Sequence, residues 1–278
     1  MTSAQSPPPP THGSPAPLLH YEVHGRTGPY LLLVHGMLAS RAHWLLNLDA
    51  LSTACRPVVV ELFGHGRSPA PADTFWYRPQ GYVEQFEHLR AALGADAWLV
   101  CGQSLGAALT LRYALDYPER VRAQVFTNSL SALAEDNWAA LVRPFMDAQA
   151  QQLAAEGRAA LEALPMHPSR SRHMPAQVQA ALVADCALHD PHGIALTGLH
   201  TVPESPVRAR VAHIRLPTLL VCGERETRFA PHRRFAEATM PALEVVGLDA
   251  GHAVNIDAAA AFNAAVLAFF RRHQVVEA

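Results

Sequence analysis

Lysine is absent. All 22 basic residues are arginine, set against 24 acidic residues in a chain of 278. There is therefore no amine for a Schiff base, no P-loop lysine and no Ser-Lys dyad. A formal charge of −2 leaves no strongly basic surface for nucleic acid. Cysteine is scarce: Cys55, Cys101, Cys186 and Cys222 have neither metal nor redox spacing. Cys101 and Cys222 sit in apolar runs that suit buried thiols. No run is long enough to cross a membrane. The opening "MTSAQSPPPPTHGSPAP" lacks the charged start and apolar middle of a secretory signal, and reads as a disordered Pro-rich tail over 1–17. A cytoplasmic protein is the expectation, and Ala/Arg richness without Lys suits a bacterial genome. Nothing in the chain sets an oligomeric state.

Half the residues are apolar, enough for a large core. Short β-branched runs recur at 30–36, 56–62, 97–103, 123–129, 217–224 and 243–248, and read as strands buried on both faces. An alternating run at 18–25 suits an edge strand. Helical patterns lie between them, at about 40–53, 80–93, 105–117, 231–239 and 258–273. Strands alternating with helices predict an α/β fold with a mostly parallel sheet covered on both faces. The rhythm breaks from 131 to 213, an Ala/Gln/Arg-rich helical stretch with a Pro-rich break at 165–175. Strands resume after it, so it reads as a helical cap inserted into a core of 18–130 and 214–278.

Ligands of open α/β sheets bind beyond the carboxyl ends of the strands. Three chemistry-bearing residues fall there, in the order Ser104, Glu226, His252. Ser104 is the centre of Gly102-Gln103-Ser104-Leu105-Gly106, between an apolar strand and a helix. It suits either an exposed nucleophile or a helix N-cap. His252 follows Gly251 in a turn before the last helix.

On these residues the chain resembles the α/β-hydrolase fold family from about 18 to 273. The resemblance implies a nucleophile elbow at Ser104, a base at His252 and an acid at Glu226. The family pattern at the acid is usually Gly-x-x-Asp; here it is Gly223-Glu224-Arg225-Glu226, with Glu for Asp. Glu224 and Asp249 are rivals, and the loop after Thr127 offers Asn128 but no carboxylate. The oxyanion hole falls to the backbone N–H groups of Leu105 and Met37, the latter in a His35-Gly36-Met37 loop. "FGHGRS" at 63–68, preceded by Glu61, resembles a family turn and reads as structural. A serine at the elbow argues against dehalogenases and epoxide hydrolases of this fold, which use aspartate. The resemblance implies a cofactor-free serine hydrolase taking small-molecule esters or lactones, small to medium and mostly apolar. C–C hydrolysis of ring-cleavage products, acyl transfer or perhydrolysis, and a non-catalytic receptor stand as alternatives.

Pocket residues are expected at His35, Trp138 and Phe145. Trp138, Leu141, Phe145, Met146 and Leu153 share helical spacing, with Phe145 favoured over Met146 to lead inward. Two further clusters are read as structural: His189, Asp190 and His192, whose spacing fits no metal pattern well, and Arg170 with Arg172, which could grip a substrate carboxylate but suit a solvated loop better.

Overall fold

The computed structural model describes residues 17–277. The tail expected over 1–17 lies almost wholly outside the described residues. Seven strands form one sheet: β1 (Tyr21–Val23), β2 (Tyr30–Val34), β3 (Arg56–Val60), β4 (Trp98–Gly102), β5 (Val121–Thr127), β6 (Thr218–Gly223) and β7 (Leu243–Leu248). Their spatial order is β1-β3-β2-β4-β5-β6-β7. Only β1 runs antiparallel, pairing with β3. Every other neighbouring pair is parallel.

The apolar runs become central strands because both faces are covered. Leu32 and Val34 point to a core formed with α1 (Pro79–Ala92) and α2 (Leu105–Asp116), through Tyr82, Phe86 and Leu109. Leu31 and Leu33 point the other way, to α6 (Ala259–Arg272), which buries Phe262, Val266, Phe269 and Phe270. Those four lie at i, i+4, i+7 and i+8, the seam of an amphipathic helix. Burying each phenyl ring is worth about 2–3 kcal/mol. At the sheet edge β7 is only half-buried, which corrects its reading as a strand covered on both faces.

Residues 40–53 do not form one helix. A 3-10 turn (Arg41–Trp44) and a short helix (Leu48–Leu51) replace it. Asn47 lies at the break, with its buried amide donating to Asn255 O (3.0 Å) and Asn263 Oδ1 (2.8 Å). These tertiary bonds tie the segment to the chain's last helices and outweigh local helix preference.

Among the described residues no strand lies between β5 and β6. That interval holds α3 (Trp138–Glu156), a short helix Arg158–Ala163, α4 (Ala176–Cys186), and a helix Pro191–Leu196 that runs on through a π-turn at Thr197–Thr201. Near its ends, Ala132, Leu133, Val207 and Val211 bury in one cluster with Phe126 and Leu220 of the sheet. The segment is thus rooted in the core on both sides. α5 (Ala230–Thr239) follows β6.

Candidate active site

Parallel register brings the strand ends to one level. Val34 pairs with Gly102, Gly102 with Phe126, Thr127 with Val221, and Gly223 with Leu248. The residues just beyond these pairs therefore meet over one edge of the sheet.

Ser104 sits between β4 and α2 with φ +53° and ψ −117°. An L-residue held there stores on the order of 1–3 kcal/mol of strain, a feature of functional turns. It occupies the N-cap position of α2, yet its side chain caps nothing. The N-cap alternative therefore fails, and the hydroxyl is presented to the cavity. The flanking glycines permit this turn. A Cβ on Gly106 would stand 2.2 Å from Val34 O, and one on Gly102 2.4 Å from Gly106 O. Either would force β2, β4 and α2 apart.

Leu105 opens α2, where a helix leaves its first N–H groups unpaired and the dipole is positive. Met37 leaves β2 beside it. Among the described residues, neither backbone N–H has an acceptor. Both residues line a cavity together with Ser104 and His252.

His252 Nδ1 lies 2.9 Å from Glu226 Oε2. Asn128 Nδ2 donates to the same oxygen at 2.9 Å and to Gly223 O at 2.9 Å, while Asn128 Oδ1 accepts from Gly223 N. The end of β5 thus fixes the acid delivered by β6. Burial works against charge on Glu226, but hydrogen bonds and attraction from His252, the Asn128 bond and Arg228 outweigh it, holding its pKa below the usual range. Since Nδ1–H donates to the carboxylate, Nε2 is left as the free base of the ring. The rivals are engaged elsewhere: Asp249 is exposed and pairs with Arg225, and Glu224 pairs with Arg233. Three residues given no role in the sequence reading complete the frame. Asn128 orients Glu226, Gln103 Nε2 donates to His252 O (3.3 Å), and Asp257 accepts from Gly251 N (2.8 Å).

Two pocket expectations need correction. Phe145 is 73% exposed and Leu141 57% exposed. Met146, its neighbour on α3, lines the cavity instead, with Trp138 and Gln149. The inward stripe of α3 runs Trp138, Met146, Gln149 and Leu153, and it packs on the π-turn, where a Cβ on Gly198 would stand 3.2 Å from Met146 Sδ. Trp138 lines the same cavity and donates Nε1 to Val202 O (2.8 Å).

His35 does not line the pocket; it is fully buried. Its Nδ1–H donates to Gly36 O (2.7 Å) and its Nε2 accepts from Leu62 N (3.1 Å). His65 lies next to it, ring centroids 5.3 Å apart and planes tilted by 54°, donating to Phe63 O and accepting from Leu38 N. His189 follows at 5.1 Å, accepting from Gly66 N and facing Cys186 Sγ. Three neutral rings therefore join the Gly36–Leu38 loop to the "FGHGRS" turn and to the helical segment. Alongside them Arg67 bridges buried Glu61 and Asp185, and Ser40 Oγ donates to Asp185. Asp190, in the same cluster, caps Pro191–Leu196 by accepting from Gly193 N (2.7 Å).

This burial predicts acid lability. Desolvation lowers His35 and His65 from 6.5 to about 3, His189 to about 2 and His43 to about 4. Folded, these rings stay neutral; unfolded, they protonate below pH 6.5. Unfolding therefore takes up protons, so stability is full above that value and falls as pH falls. Each ring contributes about 1.4 kcal/mol per pH unit there, together on the order of 8 kcal/mol by pH 5. Thermal melts should lose about 10 °C or more between pH 7.5 and 5. A flat melting temperature, or an uptake on unfolding at pH 5.5 of fewer than about two protons, contradicts neutral burial of the cluster.

The site is walled by two adjoining cavities of about 310 and 240 Å³, which share Met37, Ser104, Met166 and His252. Comparison with known proteins agrees with this architecture. Residues 29–259 match the family described as alpha/beta hydrolase fold. A Bacillus subtilis (strain 168) protein, provisionally named 2-succinyl-6-hydroxy-2,4-cyclohexadiene-1-carboxylate synthase, is 26% identical over 239 residues, covering 82% of this chain and 85% of that one. MenH from S. aureus superposes with a TM-score of 0.81 at 19% identity, covering 92% of this chain and 99% of that one. The enol-lactonase from Burkholderia xenovorans LB400 gives 0.76 at 23% identity, covering 91% and 96%. With the family match spanning most of its length, and with the sheet order and strand-end loops described above, this chain belongs to the α/β-hydrolase fold family.

Proposed function

We propose that the protein is a serine hydrolase of carboxylic esters or lactones, working without a cofactor through an acyl-enzyme on Ser104. The observation that carries this reading is the 2.9 Å contact of His252 Nδ1 with buried Glu226, on a ring whose cavity it shares with a strained, uncapped Ser104. Nε2 of His252 takes the Ser104 proton as Oγ attacks the carbonyl carbon. The N–H groups of Leu105 and Met37 hold the oxyanion, and Glu226 steadies the imidazolium. The leaving alkoxide takes that proton as the C–O bond breaks. A water then attacks the acyl group, gives its proton to His252, and the acid leaves as Ser104 is regenerated. The helical segment between β5 and β6 serves as a cap, bringing Trp138, Met146 and Val202 over the serine.

Such a pocket selects by length. A p-nitrophenyl ester series from two to sixteen carbons should favour short and medium acyl groups. Met146→Ala should raise kcat/KM for the next longer acyl groups relative to acetate about tenfold, by removing wall volume. Phe145→Ala, on the exposed side of α3, should leave the profile in place. A parent enzyme that prefers the longest chains, or a profile moved by Phe145 and not Met146, contradicts the cap reading. Absence of turnover on every ester contradicts the hydrolase reading itself.

A further inference from the structure

The two cavities over Ser104 differ in charge. The smaller is walled by Leu105, Leu130, Trp138, Met146 and Val202, with no ionisable group besides the shared His252. The larger holds Arg170, the one permanently charged side chain lining either cavity. No carboxylate lines either of them. Among the described residues Arg170 has no carboxylate within ion-pair distance, in contrast to Arg78, Arg210, Arg225 and Arg233 and in common with Arg122 and Arg172. The groups that line the cavity beside it bring no negative charge. His167 is held below its ordinary pKa, chiefly by burial, and Arg170 adds to that lowering; Glu162 opposes it without lining the cavity. His43 is buried and neutral, bonded to Asn255.

Resting on the reading of Ser104 as the acylated residue, we infer that the substrate is an asymmetric ester: apolar on one side of the scissile carbonyl, with a carboxylate on the other side that ion-pairs with Arg170. The planar guanidinium suits a two-oxygen anion, and a cavity free of competing acids leaves that fork open. Arg172, in the same loop and exposed like Arg170, lines neither cavity.

The test uses two matched pairs, because the carboxylate can belong to the acyl group or to the alcohol. Mono-p-nitrophenyl glutarate is compared with p-nitrophenyl pentanoate, and 4-carboxyphenyl butyrate with phenyl butyrate. In one pair the anionic member should show the higher kcat/KM. Arg170→Gln should lower that anionic-to-neutral ratio about tenfold, with Arg170→Lys recovering part of it and added salt weakening it, as expected for a partly exposed ion pair. Binding of the same four esters to Ser104→Ala, by calorimetry, reads the preference without any chemistry. The anionic member should bind more tightly, and Ser104→Ala/Arg170→Gln should lose the difference. Parent protein that turns over no ester, while Ser104→Ala keeps the Arg170-dependent preference, overturns the hydrolase reading and leaves the anion subsite standing. An anionic-to-neutral ratio untouched by Arg170→Gln in both pairs, in turnover and in binding, overturns the subsite.

Discussion

Ser104→Ala is expected to lower ester turnover about 10⁴–10⁶-fold, the usual loss when a triad nucleophile is removed. Folding should survive. The hydroxyl caps no helix, so its removal orphans no backbone donor. The strain at φ +53° is a property of the backbone between β4 and α2, and alanine inherits it. Purified Ser104→Ala should therefore melt within a few degrees of the parent while p-nitrophenyl ester hydrolysis falls to background. A variant that retains more than about a tenth of the parent rate contradicts a nucleophilic Ser104.

Glu226→Gln should cost about 10⁴-fold in kcat, as in triads whose orienting carboxylate becomes an amide. The lost charge gives the reason. Asn128 Nδ2 donates to Glu226 Oε2, and this donor is held in place by both polar atoms of Gly223. A glutamine with its oxygen in that place still accepts from Asn128 and from His252 Nδ1, but it no longer carries the negative charge that steadies the imidazolium formed as Ser104 gives up its proton. Asp249→Asn removes only an exposed ion pair with Arg225, and should change kcat less than about twofold. The two variants assayed side by side on one ester decide the acid. A larger loss from Asp249→Asn contradicts the assignment to Glu226.

Much of this was legible in sequence because the signals are local. The apolar runs at 30–36 and 97–103 became β2 and β4, since a strand buried on both faces must be apolar throughout. Gly102 and Gly106 marked the sharp turn because no larger residue fits against Val34 and Gly106 carbonyls. What escaped depends on contacts distant in the chain. Asn128 and Glu226 stand 98 residues apart, and the Asn47–Asn263 bond that breaks the expected helix spans 216. The orientation of α3 was misread for a related reason. Leu141 and Phe145 share helical spacing with Trp138, but packing of α3 on the π-turn at Thr197–Thr201 turns the adjacent stripe, with Met146, inward. His35 carried a family-like pattern and a titratable ring. Its partners, Gly36 O and Leu62 N, make it a neutral clamp on the loop that carries Met37.

The central claim is that Ser104 is a nucleophile activated by His252. A fluorophosphonate probe tests it directly, since covalent capture needs both the activated oxygen and the oxyanion donors. Intact-protein and peptide mass spectrometry should find one adduct per chain, on the peptide carrying Ser104. Its rate of formation should fall by at least about 10³-fold in His252→Ala, in line with loss of the general base. Labelling on any other residue, or labelling of Ser104 that proceeds equally well without His252, would contradict the account.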